Sequence, residues 1–339
     1  MGPSKLTQSS SLQLEVGSFD EADSADYTDY ESIASTIPNY IYQNGRRYHS
    51  YHAEKYLLPN DEREQERLDF LHHIFRLTLD GDLCYTKLDN PQKILDIGTG
   101  TSFPPARALT VPWDHHHSTA IGTGIWAMDI ADIYPSAQVI GTDLSPIQPG
   151  GIPDNVEFIV DDALQEWTFP KSSFDFIHIR CLGGSIPDWP RLLTQCYETI
   201  KPGGQIEVSE SRTQLCCDDD SFPEDSLCKK WMKEHQRLAA KCGFHFDVFP
   251  NFRGWVQDAG FTEIDTAEKI VPAGTWPRDR NLKRRGAFFM AQLLDFALDS
   301  YSVALFTRGG GWQDEDIRNL LGGVKDELRT NKMHLYTHL

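Results

Sequence analysis

Three sets of carboxylates stand at the ends of apolar runs. Asp96 sits in Lys93-Ile94-Leu95-Asp96-Ile97, just ahead of Gly98-Thr99-Gly100; Asp143 closes Val139-Ile140-Gly141-Thr142-Asp143; Asp161 and Asp162 close Val156-Glu157-Phe158-Ile159-Val160. Glycines after the first run let backbone N–H groups come close to a ligand where any Cβ would clash. An ionised carboxylate only accepts hydrogen bonds. Asp143 can take both hydroxyls of a ribose, one of Asp161 and Asp162 the exocyclic amine of an adenine, and Asp96 can help hold a charged amino group. Strand alternation puts Asp161 and Asp162 on opposite faces and does not choose between them. A lone glycine loop is a weak signal. A glycine loop followed by acids at the ends of the next two strands is far more specific, and the ligand it describes is an adenosine carrying an amino acid. His178 and Arg180 share one face of the run 174–180 and are candidates to meet a second substrate. His178 reads equally as a general base or as a buried, hydrogen-bonded structural histidine.

These side chains need a sheet to gather them. The run 93–97 is apolar without alternation, as a strand buried on both faces is; 138–143, 156–162, 174–180 and 205–209 read as further strands, with helical patterns between them at 125–134 and 189–200. Strands alternating with helices at this spacing imply right-handed crossovers and an α/β, doubly wound, mostly parallel sheet with helices on both faces. In such sheets the ligand lies at the carboxyl ends of the strands, where Asp96, Asp143, Asp162 and Arg180 fall. Ahead of the first strand, Asp61 with Glu64 three residues on is an N-cap signature, and Leu68, Leu71, His72, Phe75 and Leu79 carry helical spacing up to Gly81. His72 and His73 are adjacent and point to different faces, so packing is favoured over metal ligation. Downstream, 251–260 reads as a helix, 261–265 as a sixth strand, and about 278–330 as amphipathic helices that cover the substrate side.

The glycine loop is interrupted. Ile-Gly-Thr-Gly occurs at 97–100 and again at 121–124, where it opens the helical run Ile125-Trp126-Ala127-Met128. Removing 101–122, with its prolines and His115-His116-His117, closes strand, glycine loop and helix without a break. The segment is an insertion into a functional loop, and adjacent histidines among prolines have no framework to fix metal geometry.

Composition narrows the class. A chain of 339 residues with 40% hydrophobic residues can bury a substantial core. The formal charge of −18 repels phosphate backbones, so direct nucleic-acid binding is not expected. The seven cysteines form no C-x-x-C pair, the start lacks an apolar leader, and no apolar run is read as long enough to cross a bilayer. A cytoplasmic or nuclear protein without a membrane partner is expected. Residues 1–38 read as a disordered acidic tail, and 39–339 as the folded domain.

Several blocks carry a family resemblance: Tyr56-Leu57-Leu58-Pro59-Asn60-Asp61-Glu62-Arg63-Glu64-Gln65-Glu66-Arg67; the split Ile-Leu-Asp-Ile-Gly-Thr-Gly; Val139 through Pro149; Phe176-Ile177-His178-Ile179-Arg180; Ile200-Lys201-Pro202-Gly203-Gly204; and Ala304-Leu305-Phe306-Thr307-Arg308. Over about 45–335 the chain resembles the class I S-adenosylmethionine-dependent methyltransferases, and among them the fungal LaeA-like methyltransferase-domain proteins. The resemblance implies a Rossmann-like fold, S-adenosylmethionine as cofactor, and cofactor positions at Asp96, Gly98, Gly100, Gly124, Asp143, Leu144, Asp162 and Ala163. It selects Asp162 over Asp161. It implies methyl transfer to a small secondary metabolite or a protein, with regulation of secondary metabolism through protein partners as the alternative. His178 and Arg180 are the catalytic candidates from the residues themselves.

Two departures stand against the family pattern. The insertion at 101–122 falls in the cofactor loop, and the last antiparallel strand of the family sheet is expected to be missing or truncated. A retained intron and a mis-set last exon would produce both. A dehydrogenase shares the strand-glycine-helix opening but is disfavoured, because the closed loop reads Gly-Thr-Gly-Thr-Gly and no Tyr-x-x-x-Lys proton relay appears.

Overall fold

The first described element is a hairpin of β1 (Ile41–Gln43) and β2 (Arg46–Tyr48), turned by Asn44 and Gly45, both at positive φ. Two-residue hairpin turns of this kind require left-handed backbone, which Asn-Gly supplies. The computed structural model describes residues 41–48, 57–100, 124–144 and 152–339. The expectations for residues 1–38 and 101–122 lie outside these.

Helix α1 (Glu62–Thr78) starts where the capping signature places it: the Asp61 carboxylate accepts from Glu64 N at 3.0 Å. The same carboxylate receives Arg46 of β2 through Nε and Nη2, at 2.5 and 2.7 Å, and so ties the hairpin to the helix start. A bidentate guanidinium–carboxylate pair fixes direction as well as distance.

The central sheet contains β3 (Lys93–Ile97), β4 (Gln138–Asp143), β5 (Val156–Val160), β6 (Phe174–Arg180) and β7 (Ile200–Ser209) in the order β5-β4-β3-β6-β7, all parallel. β7 begins at Ile200, ahead of the expected Gln205, because Ile200 already pairs with Phe174. Side-chain alternation divides the sheet into two apolar faces. Ile94, Val139 and Phe176 pack under α2 (Ile125–Ile133), whose Trp126, Ala127 and Ile130 are buried. Leu95, Ile97, Ile177 and Ile179 pack on the other face with Trp189, Leu192 and Cys196 of α3 (Trp189–Thr199), and with Phe252 and Trp255 of α5 (Phe249–Asp258). Helices thus cover both faces, as the α/β reading requires. The strand order reverses between β3 and β6, which makes a crevice at the carboxyl ends of these strands.

A second apolar body stands over that crevice. It comprises α4 (Leu227–Lys241), α6 (Arg280–Gln292), α7 (Leu298–Ala304) and α8 (Asp314–Arg329), packed through Trp231, Leu238, Leu298, Phe306, Ile317 and Val324. The π-helical turns Leu293–Ala297 and Leu305–Gly309 make one helical run from α6 through α7. That run, Arg280–Gly309, is long and apolar enough to span a membrane, which corrects the sequence reading that no such run exists. Half of its apolar window is buried inside the protein, and its Asp299 pairs with Arg63 of α1 and Lys325 of α8, as in a core helix.

The stretch 261–265 is not a strand. Glu263 takes a φ of 56°, which breaks an extended segment in the middle, and Phe261 turns onto Tyr197 with ring centroids 5.2 Å apart. The strand that does form, β8 (Ile270–Pro272), pairs antiparallel with β9 (Tyr336–His338) outside the five-stranded sheet. Among the described residues no antiparallel strand joins β7, and β9 is only three residues long.

Candidate functional site

Asp96 is buried at the crevice end of β3, and its Oδ1 accepts from His178 Nδ1 at 2.7 Å. The His178 ring lies flat on Trp126, with centroids 3.7 Å apart and planes 5° from parallel. Trp126 is fixed in turn by donating its indole N–H to Leu83 O at 2.8 Å. Three elements therefore hold one imidazole, which packs Asp96 against the start of α2.

The glycine loop folds back on β4. Gly98 N and Thr99 N donate to Thr142 O at 2.9 and 3.0 Å, and Gly100 N donates to Asp143 Oδ2 at 2.9 Å. Gly98, Gly100 and Gly124 all sit at positive φ, and a Cβ on Gly98 would come within 2.6 Å of the Leu182 side chain. Gly124 N donates to Thr99 O at 2.7 Å, so the two halves of the interrupted motif meet across the insertion. Gly124 is the N-cap of α2 and offers no side-chain cap, which leaves the first N–H groups of the helix for another acceptor. Thr99 Oγ1 is buried without a hydrogen-bond partner.

Asp143 and Leu144, at the end of β4, are both half-buried. Asp161 N donates to Asp143 O at 2.9 Å, which joins the ends of β4 and β5. The Asp162 carboxylate accepts from Leu164 N at 2.9 Å and from Gln165 Nε2 at 3.3 Å, while Ala163 O accepts from Trp167 Nε1 and Gln195 Nε2. Asp162 and Ala163 open onto a cavity of about 210 Å³ together with Pro187, Asp188, Arg191 and Leu192. All eight predicted cofactor positions thus fall on the carboxyl ends of β3, β4 and β5 or at the start of α2.

An adenosine with an amino acid attached fits what is present there. An uncapped helix start, a buried hydroxyl without a partner and a cavity beside Asp162 are polar provisions that the described residues leave incomplete, and carboxylates stand at the three adjacent strand ends.

For His178, the structure gives the second of the two sequence readings, a buried and hydrogen-bonded histidine. His178 is locked between Asp96 and Trp126. Arg180 turns to α1, with Nη2 at 3.3 Å from His72 Nδ1 and its guanidinium over the Phe75 ring at 5.2 Å. Burial pushes His72 down to about 4; the neutral ring donates through Nε2 to Asp129 at 3.1 Å and accepts from Arg180 through Nδ1. Neither His178 nor Arg180 is among the residues that line the cavity under the helical lid.

That cavity, about 140 Å³, lies between the β6 and β7 ends and the lid. Apolar walls come from Leu57, Leu71, Trp231, Met232, Phe246 and Phe289. Its polar groups include Arg67 of α1, Glu210 after β7, His235 of α4 and Tyr301 of α7. Arg67 is engaged with Glu64 at 2.7 Å and with Tyr301 at 3.0 Å. Glu210 accepts from Leu182 N at 2.8 Å, and burial pushes its carboxyl up to about 8. His235 is buried, and that burial alone lowers it to about 4. The cavity meets the glycine loop at Leu182: its neighbours Cys181 and Gly183 line the cavity, and its side chain covers Gly98. Sequence reading missed α4 and with it His235, although Ser226 as N-cap and the spacing of Cys228, Trp231, His235 and Leu238 carry a helix signal.

Comparison with known proteins gives the following. The family described as "Methyltransferase domain" matches residues 120–266. Methyltransferase pytC of Aspergillus terreus is 39% identical over 305 residues, covering 89% of this chain and 87% of that protein. Secondary metabolism regulator LAE1 of Cochliobolus heterostrophus is 33% identical over 308 residues, 89% of this chain and 92% of that protein. Protein-methionine methyltransferase laeA of Emericella nidulans is 32% identical over 302 residues, 88% and 74% respectively.

Proposed function

The chain belongs to the methyltransferase-domain family that includes pytC and the LaeA-type regulators, and we propose that it methylates a small molecule held under its helical lid. The family is S-adenosylmethionine-dependent. Bound at the ends of β3, β4 and β5, that cofactor supplies an activated methyl group on a sulfonium. In this reading Asp143 would take the ribose, Asp162 and Ala163 the adenine, and Asp96 the amino group, with the Gly98–Gly100 backbone and the start of α2 left for the remainder. Because His178 fixes Asp96 and Trp126 fixes His178, this part of the site is organised before a ligand enters.

The remaining work is alignment. In-line displacement needs the acceptor atom opposite the leaving sulfur, and positioning of this kind lowers a barrier by about 7–11 kcal/mol. The observation that carries the small-molecule reading is the cavity joined to the glycine loop through Leu182, since its aromatic and aliphatic walls suit a compact apolar guest. The relatives named as regulators and as a protein-methionine methyltransferase support a second reading, transfer to a protein. Seven cysteines, all of them free thiols, support a reducing compartment, the cytoplasm or nucleus.

The two acceptor classes separate in one assay. With methyl-labelled S-adenosylmethionine and a fungal cell extract, label is expected in the low-mass fraction. Label confined to protein would transfer the conclusion to the second reading.

A further inference from the structure

Both titratable groups that the lid cavity leaves to a guest are neutral near pH 7. Desolvation holds the Glu210 carboxyl up to about 8 and the His235 imidazole down to about 4. Two guanidinium groups also line the cavity, and both charges are already matched: Arg67 by Glu64 at 2.7 Å and Arg212 by Asp247 at 2.8 Å. An ammonium guest would therefore find no ionised counter-charge, and a carboxylate guest no unmatched cation. The size is equally restrictive: a cavity on the order of 150 Å³ takes about one benzene-sized ring, and this one measures about 140 Å³. Its walls include the rings of Trp231 and Phe246, centred 5.7 and 5.3 Å from that of His235.

The position of Glu210 is the distinctive feature. It follows β7 and caps the turn after β6, accepting from Leu182 N at 2.8 Å and from Gly183 N. The approach is close: a Cβ on Gly183 would stand 3.1 Å from Glu210 Oε2 and 3.0 Å from Phe246 O. Leu182, on the same turn, has its side chain against the position a Gly98 Cβ would take. One turn thus has the methyl-donor loop on one side and the Glu210 carboxyl on the other, facing the cavity.

Resting on the methyltransferase reading above, we propose that the acceptor is a neutral, single-ring-sized apolar molecule methylated on a phenol- or enol-type hydroxyl, and that Glu210 is the catalytic residue that takes the hydroxyl proton. The step balances. The O–H proton passes to the ionised Glu210 carboxylate, the oxygen lone pair forms the C–O bond to the methyl carbon, and the C–S bond breaks with its pair returning to sulfur. The sulfonium charge is discharged, the ether leaves neutral, and Glu210 then gives its proton to solvent. A base of this kind contributes about 10²–10⁴-fold, and works best with a pKa near the operating pH.

The test uses p-cresol as the minimal acceptor, with binding to the protein–S-adenosylhomocysteine complex followed by NMR and turnover followed with methyl-labelled S-adenosylmethionine. The intact chain is expected to bind p-cresol at least tenfold more tightly than benzylammonium or p-toluate, and to release labelled 4-methylanisole at a rate that rises with pH and levels above about 8. The rise has this sign because only the ionised carboxylate accepts a proton. Glu210→Gln, isosteric and able through its amide oxygen to keep the Leu182 N–H bond, should bind p-cresol within threefold of the parent yet turn over about 100-fold more slowly, with the pH rise gone. Glu210→Asp should recover part of the rate. Parent-like turnover in Glu210→Gln, preferential binding of the cation or anion, or p-cresol bound without ether formation would each overturn the proposal. Failure to bind S-adenosylhomocysteine at all would instead overturn the methyltransferase reading beneath it.

Discussion

Replacing Asp96 by alanine is expected to abolish S-adenosylhomocysteine binding and to lower stability by about 3 kcal/mol, because breaking a buried, hydrogen-bonded pair strands its partner. The partner is His178 Nδ1, 2.7 Å from Asp96 and enclosed by Trp126, with no water-exposed route to another acceptor. Asparagine separates the two losses. Its amide oxygen can still accept from His178, so Asp96→Asn should unfold within about 1 kcal/mol of the parent, yet it carries no charge for the amino group of the ligand. Denaturant unfolding and calorimetric titration of both variants check this. Parent-like affinity in Asp96→Asn would mean that Asp96 serves only to hold His178.

Deleting residues 101–122 is expected to tighten S-adenosylhomocysteine binding on the order of tenfold, about 1.4 kcal/mol. The reason lies in the ends of the segment. Thr99 O and Gly124 N are hydrogen-bonded at 2.7 Å in the intact chain. Once 101–122 are gone, Thr99, Gly100, Thr123 and Gly124 become consecutive, and that same contact becomes the closing bond between the first and fourth residues of a β-turn. No described residue has to move. Closing a segment of this length costs roughly 1.5 kcal/mol more chain entropy than closing a four-residue turn, and part of it is charged against any ligand that needs both glycine halves together. The shortened chain should also melt higher when cofactor is present, since a ligand of the native state stabilises it by mass action. Weaker binding by a shortened chain that remains folded would show that the inserted residues contribute to the site.

What the sequence made legible follows the physics of burial. The strands Gln138–Asp143 and Phe174–Arg180 appear at their expected limits because a strand covered on both faces is apolar throughout and ends where the sheet meets solvent. Asp143 and Arg180, which mark those ends, came with them, as did the start of α1 at its Asp61 cap. The second half was harder. Phe261-Thr262-Glu263-Ile264-Asp265 has the alternation of a strand, but Glu263 adopts a left-handed conformation that alternation does not encode. Strand periodicity put His178 and Arg180 on one face, which is correct; it could not say that Trp126 would cover one and His72 and Phe75 the other. The acceptor cavity was the least legible part. Arg67, Glu210, His235 and Tyr301 come from four separate elements, and only packing of the lid brings them to one space.

The claim on which the rest depends is that the carboxyl ends of β3, β4 and β5 bind S-adenosylmethionine. Calorimetric titration of the intact chain with S-adenosylhomocysteine, repeated on Asp143→Ala, tests it most directly. The predicted result is saturable binding at a single site per chain, weakened in the variant by roughly 1.5–3 kcal/mol for each charge-assisted hydrogen bond removed. Absence of binding by the intact chain, or an affinity unchanged in Asp143→Ala, would contradict it.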